Sequence, residues 1–393
     1  MKSTLFSMAS AVWKLCPDAL RQAPFTRDLA HQIREQLQQK SSVTSLSQGP
    51  VADNLKADEL ICPHTEATVE GDSIKVAIIE RNSTAEKNST AEQNSTNGAT
   101  ITSGPRVLRT LAELDEMLTM LDQAATISDD ELRRGFTQFQ MQFPLDLPPD
   151  PDSAEYRAKQ MELYQWLNGK PYSITHEVCP IDVKEAIARP FPFSSKSPYT
   201  VGNHIISIGH VIRTLNLKEH SSILEFGPGW GNTTIWLARM GYDVTAVDIE
   251  QNFIDLINAR AQANGLHVDA ILGDFSLIHQ FEKRFDAVLF FECFHHCSEH
   301  QALIAGLDKV VAPGGKVLFA AEPILDEFPI PWGLRLDGES LWAIRHQGWL
   351  ELGFQESYFR GLLLRHGWKV DKQVCSETPW GTIFVATRLS EQV

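Results

Sequence analysis

Two adjacent histidines, His295 and His296, follow an apolar run at 285–291 and an acid, Glu292. Histidine titrates near neutral pH, so such a pair at the end of a buried strand suits proton transfer with a bound molecule. Carboxylates stand at comparable places upstream. Glu225 ends one short apolar run, Asp248 ends the run at 243–247, and Asp274 follows the run at 268–272 and Gly273. Just after Glu225, Gly227, Gly229 and Gly231 space a loop as GxGxG, and Asn232, Thr233 and Thr234 open a helix-periodic segment. A strand, a glycine turn and a helix start let the backbone approach a nucleoside closely. Asp248 lies 23 residues after Glu225, about the distance at which a βαβ unit brings a carboxylate over a ribose diol.

These residues need a frame. Strands are expected at 223–225, 243–249, 268–272, 285–291 and 316–321, alternating with helical segments, and the last is preceded by Pro313-Gly314-Gly315. That alternation implies a parallel sheet with helices on both faces. In such a sheet ligands sit beyond the carboxyl ends of the strands, the rim that collects Glu225, Gly227, Asp248, Asp274, Glu292, His295 and His296. The GxGxG spacing differs from the GxGxxG of dinucleotide enzymes, which disfavours a NAD-dependent oxidoreductase and points to S-adenosylmethionine (SAM).

In motif order the chain resembles the class I SAM-dependent methyltransferases. The likeness covers about residues 200–390 and rests on the Glu225–Gly231 loop, Asp248, Asp274-Phe275 and the Pro-Gly-Gly turn. More narrowly, Glu225-Phe-Gly-Pro-Gly-Trp-Gly-Asn-Thr-Thr and Pro331-Trp-Gly-Leu-Arg-Leu-Asp-Gly-Glu-Ser resemble bacterial small-molecule or saccharide methyltransferases. The resemblance implies a Rossmann-like α/β fold. It would comprise a seven-stranded, mostly parallel sheet closed by a terminal antiparallel hairpin, with strands at 368–376 and 381–388.

It also implies roles. Glu225 and the glycines Gly227, Gly229 and Gly231 would organise the loop and the methionyl ammonium, and Asp248 with Ile249 would hold the ribose. Asp274 would accept from the adenine amino group with Phe275 beside the ring, and Glu292 would complete the cofactor wall. Asp248 and Asp274 could instead be helix caps. Methylating a hydroxyl requires removing a proton, and His295 or His296 is the candidate base, the other being structural because adjacent side chains on a turn point apart. Cys293, His296, Cys297 and His300 lie within eight residues, but zinc sites usually pair two separated knuckles, so no metal is assigned.

The reaction expected is methyl transfer to a small-molecule or saccharide acceptor, most simply on oxygen. A SAM-binding regulatory or scaffold protein without turnover is the alternative, because fold does not fix function. Trp332, Trp342 and Trp349, interleaved with Arg335, Asp337, Arg345 and His346 in an insertion at 324–354, would suit a sugar ring or ordinary lid packing. A helix is expected at 341–352, and the final crossover helix at 354–366.

Composition bounds the partners. A net charge of −15 without a basic run argues against nucleic acid. No apolar stretch reaches the roughly 18 residues of a membrane span. Six dispersed cysteines and a poor N-terminal signal suggest reduced thiols in a cytoplasmic protein, whose protein partners the sequence does not indicate.

Four regions are expected along the chain. Residues 1–40 read as a helical segment, 41–105 as a disordered low-complexity linker, 106–200 as a helical cap and 201–390 as the SAM-binding domain. Within the linker, six-residue units beginning at Arg81, Lys87 and Gln93 repeat without large apolar residues, a period suited to neither helix nor strand burial. Asn82, Asn88 and Asn94 match the glycosylation pattern, which a slipped tandem repeat explains. An apolar patch at 74–79 reads as a stray strand. In the cap, apolar periodicity predicts a helix over 107–121, Ser128 to Glu131 a capping box, Asp152 to Glu155 the start of a helix ending near 167, and 201–215 a final helix.

Overall fold

The computed structural model describes residues 65–70, 73–78, 104–144 and 146–389. The expected helices of 1–40 and the hexapeptide repeats with their Asn residues lie outside that set. Contacts divide the chain into two units, Met1–Asn97 and Gly98–Val393. The first contains a hairpin of β1 (Thr65–Glu70) and β2 (Ser73–Ile78), paired antiparallel with Glu70 opposite Ser73. Composition read this stretch as linker with a stray strand at 74–79, which β2 matches, and the sequence alternates β-branched with polar residues around Gly71-Asp72, a pair suited to a tight turn.

The second unit opens with β3 (Arg106–Leu108), α1 (Leu111–Ile127), α2 (Asp129–Phe136) and β4 (Phe139–Met141). The helix expected from 107 thus starts at 111. Val107 and Leu108 pair with Gln140 and Met141 in a parallel two-stranded ladder, and Thr110 with Glu113 forms the capping box. Ser128 caps α2 by accepting from Glu131 N. The cap continues through α3 (Ala154–Asn168) and α4 (Val183–Ala188) to α5 (Pro198–Leu215), which carries proline in its first turn.

Then follow β5 (Ser222–Phe226), α6 (Asn232–Arg239), β6 (Asp243–Asp248), α7 (Gln251–Ala263), β7 (Asp269–Leu272), β8 (Phe285–Phe291), α8 (His300–Val310) and β9 (Val311–Ala320). An insertion adds β10 (Ile324–Leu325), β11 (Trp332–Leu334), α9 (Gly338–His346) and β12 (Leu352–Gln355). The chain closes with α10 (Glu356–Arg365), β13 (Trp368–Val374) and β14 (Thr382–Arg388).

The central sheet has the order β13-β14-β9-β8-β5-β6-β7. Its five strands from β9 to β7 run parallel, while β14 and β13 are antiparallel at one edge. The strand order turns at β5, flanked by β6 and β8, so a crevice opens beyond their carboxyl ends. Both faces are covered, and alternate residues of β8 divide between them. Val288 and Phe290 join one core, Ala287 and Leu289 the other. Phe290 stacks between Phe226 and Phe319 at 5.5 and 5.1 Å, pairs worth about 1 kcal/mol each beyond their buried area.

The expected helix at 341–352 is shorter. Gly348 takes a left-handed φ of +80°, and Leu352–Gln355 instead becomes the middle strand of a three-stranded sheet, β10-β12-β11. The cap and this insertion form one layer. Trp332 Nε1 donates to Pro151 O at 2.7 Å, Leu334 N to Gln160 Oε1 at 3.1 Å, and Asn168 Nδ2 to Ile344 O at 2.6 Å. Among the described residues no helix is long and apolar enough to cross a membrane.

Candidate active site

A cavity of about 1170 Å³ lies between the strand tips and the cap–insertion layer. Its floor is the glycine loop. Gly227 (φ +59°) passes so close to Cys293 that an added Cβ would sit 2.5 Å from the cysteine Cβ, whereas around Gly229 (φ +52°) a Cβ would meet nothing within 4 Å. The first glycine therefore lets the loop lie down on β8, and the second leaves its surface open. Asp248 fixes that surface: its Oδ2 accepts from Gly229 N and its Oδ1 from Glu250 N, both at 2.9 Å. The helix-capping duty weighed for Asp248 belongs to Glu250, which accepts from Asn252 N.

Glu225 is buried beneath the loop and accepts from Thr234 Oγ1 at 2.6 Å. Burial pushes its carboxyl up to about 7, that of Asp248 to about 6 and that of Glu292 to about 7. Ile249, Asp274, Phe275 and Glu292 also line the cavity. Asp274 accepts from Ser276 N at 2.7 Å, the capping role, while facing the same space. Gly231 stands apart from this wall. It is the left-handed N-cap of α6, packed against Ile257, so its part is to start the helix rather than to touch a ligand.

Beyond β8 the chain turns sharply at Glu292 (φ +53°), and beyond β9 at Ala321 (φ +54°). Left-handed backbone at two non-glycine residues side by side is strain of the kind that collects at functional sites. The turns bring Glu322 under the 3-10 turn at 294–296. Cys293 N and Phe294 N donate to Glu322 Oε1, both at 2.9 Å. His295 N at 3.1 Å and His295 Nδ1 at 2.7 Å meet its Oε2. Burial opposes a charge on His295, but Glu322, assisted by Glu351, outweighs it and raises the imidazole pKa.

His296 turns its Nδ1 to Leu350 O at 2.9 Å and to Glu177 Oε2 at 3.4 Å. Burial, reinforced by the neighbouring His295, holds it neutral, well below the usual histidine range. Both histidines line the cavity, so the two side chains do not point apart in the way expected of neighbours on a turn. Glu351 Oε2 lies 3.7 Å from His295 Nε2, and one ligand atom from each of His295, His296 and Glu351 lies within 4.8 Å of the others. The cysteines weighed as ligands go elsewhere. Cys293 Sγ donates to Phe226 O at 3.0 Å, and His300 packs against Trp332 with its Nε2 3.2 Å from Tyr358 Oη.

Glu177, Glu322 and Glu351 were missed by motif reading. Glu322 was within reach of it, since it follows the carboxyl end of β9 as Glu292 follows β8. The insertion residues divide. Trp342, Trp349, Arg335 and Asp337 line the cavity, Trp332 is 1% exposed and serves the core, and Arg345 and His346 turn away to Leu167 O and Asp122.

Residues 223–315 match the family described as "Methyltransferase domain". The chain carries a class I, SAM-dependent methyltransferase domain. Over 119 residues it is 27% identical to a ubiquinone biosynthesis O-methyltransferase of Coxiella burnetii, covering 28% of this chain and 51% of that one. An uncharacterized methyltransferase of Schizosaccharomyces pombe is 27% identical over 106 residues, covering 26% and 73%. The chain thus spans about half the length of the first of these relatives. Among solved structures, 1,6-didemethyltoxoflavin-N1-methyltransferase of Burkholderia thailandensis aligns at 22% identity and a TM-score of 0.38, over 56% of this chain and 92% of that one.

SAM is the cofactor of this domain, and the residues present fit it. The open surface at Gly229 admits a nucleoside, and Glu225, Asp248 and Glu292 suit a molecule bearing a sulfonium and an ammonium. Bound cation favours the ionised carboxylates, so SAM affinity should rise roughly tenfold between about pH 5.5 and 7.5, as these raised groups lose their protons. In the ligand-free protein the sign is opposite. A carboxyl raised on folding contributes stability below its unfolded value near 4.5, and that contribution is lost as pH rises through about 7. Calorimetry of SAM binding across that window, with melting curves of the free protein, checks both directions; a flat affinity would contradict the electrostatic account.

Proposed function

We propose that the protein transfers the SAM methyl group to a hydroxyl of a small-molecule acceptor, a saccharide being the favoured class. When bound, SAM supplies a methyl already activated by its sulfonium, so the chain's own task is to align the acceptor and weaken its hold on a proton. The observation that carries the reading is the cluster of buried His295, Glu322 and Glu351 with half-buried His296, in the same cavity as the glycine loop. A hydroxyl is a poor nucleophile until a base takes up its proton, and this cluster offers such a base. Trp342 and Trp349, beside Arg335 and Asp337, offer the apolar face and polar edge that a sugar ring matches. The Coxiella relative is an O-methyltransferase by name.

The test is methyl-labelled SAM with the full chain and a panel of saccharides, phenols and amines, label being expected on a hydroxyl. Replacing both His295 and His296 with alanine should lower turnover about 100-fold while leaving SAM affinity within a few-fold. SAM binding without transfer to any acceptor would favour a regulatory or scaffold role instead.

A further inference from the structure

We propose that His295, His296 and Glu351 form a binding site for one divalent transition-metal ion at the acceptor end of the cavity. Its existence is argued from geometry alone; its purpose rests on the methyl-transfer reading above. Two histidines and one carboxylate are the donor set that binds such ions while leaving coordination positions open.

The first argument is orientation. Metal-ligating histidines almost always give their second ring nitrogen to a carboxylate or a backbone carbonyl. Both arrangements are present here: His295 Nδ1 meets Glu322 at 2.7 Å, and His296 Nδ1 donates to Leu350 O at 2.9 Å. Each ring is thereby held through Nδ1, which leaves Nε2 as the atom that would ligate an ion.

The second argument is spacing. The 3.7 Å between His295 Nε2 and Glu351 Oε2 is too long for a hydrogen bond, and is the separation of two atoms each about 2.1 Å from a common ion. One donor atom from each of the three residues falls within 4.8 Å of the others.

The third argument is charge. Glu177, Glu322 and Glu351 surround the two rings, all lining the cavity. Arg335 is the cation that faces them, 3.4 Å from Glu351, but it is shared with Asp337 at 2.9 Å and Glu339 at 3.6 Å. Arg335 is thus engaged mainly by Asp337 and Glu339, which leaves carboxylate oxygens beside both rings to hold an ion. An ion there would lie against the acceptor hydroxyl and lower its pKa, which explains two histidines where one base would suffice.

The experiment uses the full chain, stripped of metal by a chelator and titrated with Co2+, with ligand-field absorption and metal content as readouts. One Co2+ per chain is expected, with affinity lowered at least about 30-fold in His296→Ala and in Glu351→Gln. SAM binding measured on the same samples reports folding and separates the two claims. SAM binding without Co2+ uptake, or Co2+ affinity unchanged in both variants, overturns the metal site and leaves the methyltransferase reading standing. Failure of the parent protein to bind SAM would sink that reading instead.

Discussion

An Asp248→Ala protein is expected to bind SAM at least about 100-fold more weakly than the parent. The carboxylate does two things at once. It anchors Gly229 N and Glu250 N, and it stands at the tip of β6 among the residues that line the cavity. Charge-assisted hydrogen bonds are worth about 1.5–3 kcal/mol each, so losing those to a ribose diol costs about 3 kcal/mol, a hundredfold in affinity. Isothermal calorimetry measures it. Asp248→Asn keeps the shape and removes the charge; if it binds SAM as tightly as the parent, the carboxylate is only a loop anchor.

Glu322→Gln should have the opposite profile, with turnover down at least about 100-fold and SAM affinity changed only a few-fold. Four N–H donors converge on this carboxylate, three of them from backbone. An amide can accept on one oxygen, but its NH2 then confronts donors, leaving buried groups unpaired at about 1–3 kcal/mol each. The turn at 293–295 would shift and carry His295 with it. A drop in melting temperature is expected as well, so the deciding measurement is the split between turnover and SAM affinity. Equal losses in both would mean a general structural role.

The sequence displayed the strand-tip wall of this cavity well and the wall from the cap and insertion poorly, for a physical reason. Glu225 and Asp248 stand at the ends of strands, and Asp274 and Glu292 just past them, where the apolar runs are local signals, and β8 was readable to the residue because both its ends are marked by charge. The GxGxG loop is likewise contiguous. By contrast Glu177 comes from the cap and Glu351 from the insertion, and they meet His296 and His295 only through packing that no spacing encodes. The same limit explains the strand errors. Val107 and Leu108 match helical periodicity but pair with β4, some thirty residues on, and Leu352, Phe354 and Gln355 were divided between two expected helices because their partners lie near 324 and 333. Pro313-Gly-Gly read as a turn before β9, yet that strand begins at Val311 and accommodates the three residues through a register shift opposite Phe285.

The joining of cap and insertion into one layer divides the molecule's labour. The glycine loop and the carboxylates around it stand at the tips of parallel strands, of which β8, β5 and β6 are paired on both sides and have little room to drift. What meets the acceptor belongs to a separate roof, tied to itself by Trp332, Gln160 and Asn168. Such a roof can be rebuilt without disturbing the floor. New acceptor preferences should therefore arise by exchange of segments above the sheet, with the methyl donor unchanged beneath them.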